Sequence, residues 1–100
     1  MAKSIKWTKQ AINDKVRIFK YWNKRNKSIE YSKKLNKLFH DSTKLIQTYP
    51  SLGRATDDPE VKNILAKEYL IFYIESATEY TIIHIWDERR NPDEMVYKTL

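Results

Sequence analysis

Tyr69 to Pro92 reads YLIFYIESATEYTIIHIWDERRNP. Two runs rich in β-branched and aromatic residues, Tyr69–Ile74 and Tyr80–Trp86, flank a short polar connection, Glu75–Glu79. Runs of this composition and length, bounded by polar clusters, predict two paired antiparallel strands. The second run ends in four charges, Asp87, Glu88, Arg89 and Arg90, and Asn91-Pro92 stops it. A buried strand that ends in this way delivers cations to the rim of a sheet. The rest of the chain reads as support for that rim.

Working back from these strands, Ser51–Glu60 contains the only glycine and reads as a loop, and Val61–Lys67 reads as a weaker strand leading into the two strong ones. Upstream the period changes from two to that of a helix. Ile12, Val16, Phe19 and Trp22 recur at spacings of four, three and three, which predicts one helix over Lys9–Arg25 with that stripe facing the core. Thr8 is placed to cap it. A second helix is predicted over Ser28–Thr48, capped by Ser28 and ended by Pro50. Its stripe is Tyr31, Leu35, Leu38, Leu45, Ile46 and Tyr49, with Ser42 as a polar interruption. Only a short polar segment separates the two, so they should form an antiparallel hairpin. Ser4–Thr8 alternates, with Ile5 and Trp7 on one side, and reads as a short edge strand joining the later sheet.

The order is therefore β-α-α-β-β-β. It predicts an α+β fold in which the helix hairpin packs on one face of a small, mainly antiparallel sheet. In Tyr69–Ile74, Leu70, Phe72 and Ile74 alternate with Tyr69, Ile71 and Tyr73. In the last strand Ile83 and Ile85 alternate with Tyr80, Ile82, His84 and Trp86. Both faces of the sheet are thus apolar. One should meet the hairpin; the other should be a concave binding surface or be covered by a partner chain.

Composition sets the outer bounds. One hundred residues, 41% hydrophobic and 13% aromatic, fit one domain over residues 1–100 with a single modest core. The absence of cysteine excludes a disulfide scaffold and a thiolate metal site. No apolar run approaches membrane-span length and the N-terminus shows no secretory h-region, so a cytoplasmic protein is expected. Nineteen Lys and Arg against thirteen Asp and Glu give a net charge of +6, which favours a polyanion or an acidic protein partner.

Candidate functional residues are few. Neither a glycine-rich phosphate loop nor metal-ligand spacing is present, and no cofactor or small-molecule substrate is expected. His84 sits mid-strand among apolar residues, where a structural role is the plainer reading. His40 on the second helix has no partner motif. The Asp87–Arg90 segment could be a solvated charge run, but its position between a strong strand and a proline fixes its geometry. Arg54 in the loop and Lys62 at the start of the third strand could add cations nearby. Rigid arginines grip phosphates or acidic peptides, and Trp86 and Tyr97 could stack on bases.

The element order, the loop from Tyr49-Pro50 through Leu52-Gly53-Arg54 to Thr56, the Tyr69–Tyr73 strand and the Ile82–Pro92 ending together resemble the RelE/ParE superfamily of bacterial type II toxins. The likeness runs from Ile5 to Met95. It is strongest at a W-D-x-R-x-N-P signature, here Trp86, Asp87, Arg89, Asn91 and Pro92. The resemblance implies a small toxin masked by a cognate antitoxin, with the ribosome and its mRNA or DNA gyrase as target. RelE-like members are ribosome-dependent ribonucleases with an arginine in a Y-R-L-V-Y strand; the matching position here is Leu70. On that reading Arg89, Lys62, Tyr97 and His84 would be the catalytic residues. ParE-like members need no nuclease centre, and on that reading Arg54, Trp86, Asp87, Arg89 and Arg90 would meet the target or the antitoxin. The gap at Leu70 favours the ParE-like side; a third possibility is an inactive member kept as a binding module.

Overall fold

The computed structural model describes residues 3–88, so Arg89, Arg90, Asn91, Pro92 and Tyr97 lie outside the described residues. The element order is β1 (Ser4–Trp7), α1 (Lys9–Asn26), α2 (Glu30–Thr48), a short 3-10 turn (Pro50–Leu52), β2 (Arg54–Ala55), β3 (Val61–Ala66), β4 (Tyr69–Glu75) and β5 (Glu79–Asp87). The expected order is present with one addition, the two-residue strand β2 inside the segment read as a loop. The five strands form one sheet in the order β1-β5-β4-β3-β2. β1 runs parallel to β5, with Ser4 opposite Glu79 and Trp7 opposite Ile82, and the other pairings are antiparallel. No helix among the described residues is long and apolar enough to cross a membrane.

Thr8 caps α1 as expected: its hydroxyl accepts from the Ala11 amide at 3.1 Å. Ser28 accepts from the Glu30 amide at 3.2 Å and so serves the start of α2 from just outside it. The buried faces of both helices share Phe19, Trp22, Tyr31, Leu35, Leu38 and Ile46 with the expected stripes and differ elsewhere. On α1 the core line runs through Ala11 and Asp14 and continues through Ile18, Phe19 and Trp22, while Ile12 and Val16 are each 45% exposed. On α2 it runs through Ser32, Leu35, Phe39, Ser42, Thr43 and Ile46, while Leu45 and Tyr49 are exposed. Ser42 is thus part of the buried line and not an interruption of it. Small hydroxyl residues let the helices approach closely. The Ser32 hydroxyl donates to Asn23 Oδ1 at 2.6 Å, and Phe19 stacks on Phe39 with ring centroids 6.2 Å apart.

The strand faces follow the alternation until β5. Tyr69, Ile71, Tyr73, Tyr80 and Ile82 join Leu35, Phe39 and Ile46 in the helix-side core. A register shift then inserts Ile83: Tyr73 is opposite Ile82, but Phe72 is opposite His84. Past this bulge the faces exchange, so Ile85 falls on the helix side and Ile83 joins Trp86 on the other face. The expectation that Ile83 and Ile85 share a face is corrected by this one extra residue. The second face carries its own cluster of Val61, Phe72, Ile83 and Trp86, flanked by Leu70 and Ile74. None of the four is more than 8% exposed. These four are buried, while Leu70 and Ile74 beside them are only partly so.

The 3-10 turn brings Gly53 against the end of the core. Its backbone angles are ordinary extended values, so glycine is required for space and not for conformation. A Cβ there would lie 1.8 Å from Tyr73 Oη and 2.8 Å from Tyr73 Cζ. Gly53→Ala should cost about 1–3 kcal/mol through overpacking, and Tyr73→Phe in the same chain should recover part of it. The Tyr73 hydroxyl is buried with no hydrogen-bond partner among the described residues, and burial pushes its pKa up to about 12. The folded chain holds it neutral while the unfolded chain ionises it above about pH 10. Its contribution is therefore intact below pH 10 and is lost as pH rises toward 12, up to about 2–3 kcal/mol. Alkaline denaturation curves should show this loss in the parent and a flatter limb in Tyr73→Phe.

Candidate functional site

β1 ends at Trp7, opposite Ile82, so beyond that point β5 has no neighbouring strand on its β1 side. Its backbone polar groups still need partners. α1 supplies them. The Thr8 amide donates to Ile82 O at 3.0 Å and the Thr8 hydroxyl to Ile83 O at 3.4 Å. Nearly two turns later the Asp14 carboxylate accepts from the Ile85 amide at 3.0 Å. A helix side chain thus continues the ladder where the strand stops.

Asp14 is 1% exposed and fully engaged. Oδ1 accepts from Gln10 Nε2 at 3.0 Å and from Arg17 Nη2 at 2.9 Å. Oδ2 accepts from Ile85 N and faces His84 Nδ1 at 3.2 Å. Burial alone would raise its pKa. The hydrogen bonds from His84, Ile85 and Gln10 outweigh that and hold it below the ordinary carboxylate range. An ionised acceptor assigns the proton of a neutral His84 to Nδ1 and leaves Nε2 as the acceptor nitrogen.

Just past this clamp, α1 and the ends of β4 and β5 enclose a cleft of about 300 Å³ lined by Arg17, Ile18, Tyr21, Tyr69, Ile85, Trp86 and Asp87. One wall is fixed from behind, because Trp22 Nε1 donates to the Tyr69 hydroxyl at 2.8 Å. Arg17 brings a largely exposed guanidinium, Tyr21 an exposed ring, and Asp87 the last position of the strand. The cleft is therefore amphipathic, with charge of both signs at its mouth. Its geometry suits a protein side chain or a short peptide segment.

Trp86 and Asp87 line this cleft, and His84 stands behind it against Asp14. Arg54 and Lys62 do not join them. Lys62 is opposite Tyr73, while Trp86 is opposite Leu70, three residues or about 10 Å further along β4 and on its other side. Lys62 lines a separate hollow with Pro59, Glu60, Ile74 and Glu75. Arg54 donates from Nε to Asn63 Oδ1 at 3.2 Å and borders a groove with Leu45, Leu52 and Leu65. The cations expected beside the β5 exit from these two positions are thus replaced by Arg17. Arg89, Arg90 and Tyr97 lie outside the described residues. Sequence reasoning missed Asp14, Arg17 and Tyr21. The spacing Gln10, Asp14, Arg17 was the available signal, since it puts a donor one turn away on each side of a carboxylate.

The profile of the ParE toxin of the type II toxin–antitoxin system parDE matches residues 5–92. Among solved structures, a chain of the chromosomal ParDE TA system from P. aeruginosa superposes with a TM-score of 0.73 at 20% sequence identity. The match covers 84% of this chain and 94% of that one. At that identity it speaks for the fold: the same two helices on a mixed sheet. No curated protein sequence matches. With the profile spanning β1 to the end of the W-D-x-R-x-N-P signature, the chain belongs to the ParE toxin family of type II toxin–antitoxin systems.

Proposed function

We propose that this toxin arrests growth by binding DNA gyrase and poisoning its DNA-cleaved state, not by cutting mRNA, and that a cognate antitoxin neutralises it in the cytoplasm. On this reading the contact is made at the β5 end, by Asp87 with Arg89 and Arg90 following in the chain, and the buried Trp86 supports it from behind. The observation that carries it is the setting of Leu70. Where RelE-like ribonucleases are expected to hold a phosphate-binding arginine, this chain has a leucine opposite Trp86, packed against the apolar cluster of the second face. Lys62 does not take its place, since it sits across the sheet among Pro59, Glu60 and Glu75, and Arg17, the cation at the β5 exit, is already paired with Asp14. Without a phosphate clamp beside an acid and a base, rapid cleavage of a phosphodiester has little electrostatic support. The ParDE solved structure supports an antitoxin partner, and the net charge of +6 suits an acidic one.

One observation favours the ribonuclease reading. Asp14 orients His84 through Nδ1, as a carboxylate orients a histidine base, and leaves Nε2 available. His84→Gln separates the readings, because a glutamine amide can still donate to Asp14 but cannot take a proton. Induced in bacterial cells, this variant should arrest growth as the parent does, within about twofold. A loss of arrest, accompanied by loss of mRNA cuts that the parent makes, would favour ribonuclease action.

A further inference from the structure

We infer that Asp14 is the positioning residue of the toxin's working end: its carboxylate anchors the open edge of β5 just before Trp86 and Asp87, the strand residues that border the cleft. This inference rests on the reading that the β5 end meets the target, whichever target that is. The geometry carries it. Past Trp7 no strand flanks β5 on that side, and a bulge at Ile83 bends it locally. On its other side β5 stays paired with β4 as far as Asp87, which is opposite Tyr69; on the open side the Ile85 amide is the next anchored group, and its partner is Asp14, at 3.0 Å. Trp86 and Asp87 follow immediately.

The same carboxylate reaches in the other direction. Its second oxygen holds Arg17, whose guanidinium stands in the cleft wall facing the β5 end. One buried group therefore touches both walls, anchoring Ile85 on the strand and meeting the largely exposed Arg17 on the helix. A core position that needed only filling would hold an apolar residue, as Ala11 does one turn earlier on the same line. A buried charge with four donors from two elements serves registration, which is the best-attested use of such groups.

The test uses the full chain carrying Asp14→Asn, which keeps the shape but removes the charge and half the acceptor capacity. Amide hydrogen exchange at Ile85 reads the clamp, and growth arrest per amount of folded protein reads function. Ile46→Val, a core change on α2 outside the cleft lining, is the stability control, compared at equal distance below each variant's thermal midpoint. The expected result is faster Ile85 exchange in Asp14→Asn and at least a tenfold loss of growth arrest, with the control close to the parent. Arrest within twofold of the parent, or a loss equal to the control's, would overturn the inference. If Asp14→Asn does not fold, Gln10→Ala carries the test by removing one donor outside the cleft. It should raise Ile85 exchange and weaken arrest about threefold, and unchanged arrest with raised exchange would overturn the inference. Growth arrest does not depend on the identity of the target. A negative gyrase assay beside a tenfold loss in Asp14→Asn would therefore remove the gyrase reading and uphold the positioning role.

Discussion

Asp14→Ala should destabilise the chain by about 3–5 kcal/mol, a large part of the 5–15 kcal/mol that holds a typical small domain together. The substitution does more than delete an ion pair. It strips the Ile85 amide of its acceptor in a buried place, leaves His84 Nδ1 and Gln10 without their partner, and opens a space between α1 and β5. The Arg17 contribution is small, because that side chain is 61% exposed and water replaces the carboxylate. Most of the cost therefore comes from the orphaned amide and imidazole. The pH dependence carries a matching signature. Asp14 titrates lower in the folded chain than in the unfolded one, so its contribution is complete above about pH 4 and is lost as pH falls through the lowered folded value. Urea denaturation at pH 7 and pH 3 checks both points: a deficit of about 3–5 kcal/mol at pH 7 that narrows at pH 3.

Phe39→Ala should cost about as much, about 3–5 kcal/mol, for a different reason. Phe39 is fully buried where the helices meet the sheet, stacked against Phe19 and meeting Tyr69 edge-on at 5.7 Å. Removing it leaves a void bounded by three separate elements, which cannot collapse together to fill it. Leu45→Ala, two turns later on the same helix at a half-exposed position, should cost less than about 1 kcal/mol. The contrast places the core line of α2, and comparable losses at both positions would mean that the helix is rotated from the position described above.

Most of the architecture was legible because its signals are long and regular. The period-two runs of β4 and β5, the helix hairpin, the Thr8 cap and the edge strand β1 all stand where the sequence puts them. The helix faces were legible in part: Phe19, Trp22, Tyr31, Leu35, Leu38 and Ile46 of the expected stripes join or pack on the core, while the buried lines also carry small and polar residues that a stripe of large apolar side chains does not include. The expected stripes take in Ile12, Val16 and Leu45, which are about half exposed, and leave out Ala11, Asp14, Phe39 and Thr43, which are buried. A charge is buried here because the strand beside it runs out of partners, a fact about pairing that no single-segment pattern contains. The bulge was hidden for a related reason. Ile82 and Ile83 are both apolar, so an extra residue between the faces leaves no mark on the alternation. At the site, the charge burst after a strong strand pointed to Trp86 and Asp87. It could not point to Arg17 and Tyr21, which are sixty-odd residues earlier and meet the β5 end only through the fold.

Cleavage of supercoiled DNA by purified gyrase, with the toxin present and no antitoxin, measures the proposed activity with nothing else in the way. Linear DNA released after protein digestion, in proportion to toxin and abolished by added antitoxin, is the predicted result, with translating ribosomes showing no new mRNA cuts. Intact supercoiled DNA beside mRNA cut in the ribosomal A site would contradict it, and would make the Asp14–His84 pair the centre of a ribonuclease.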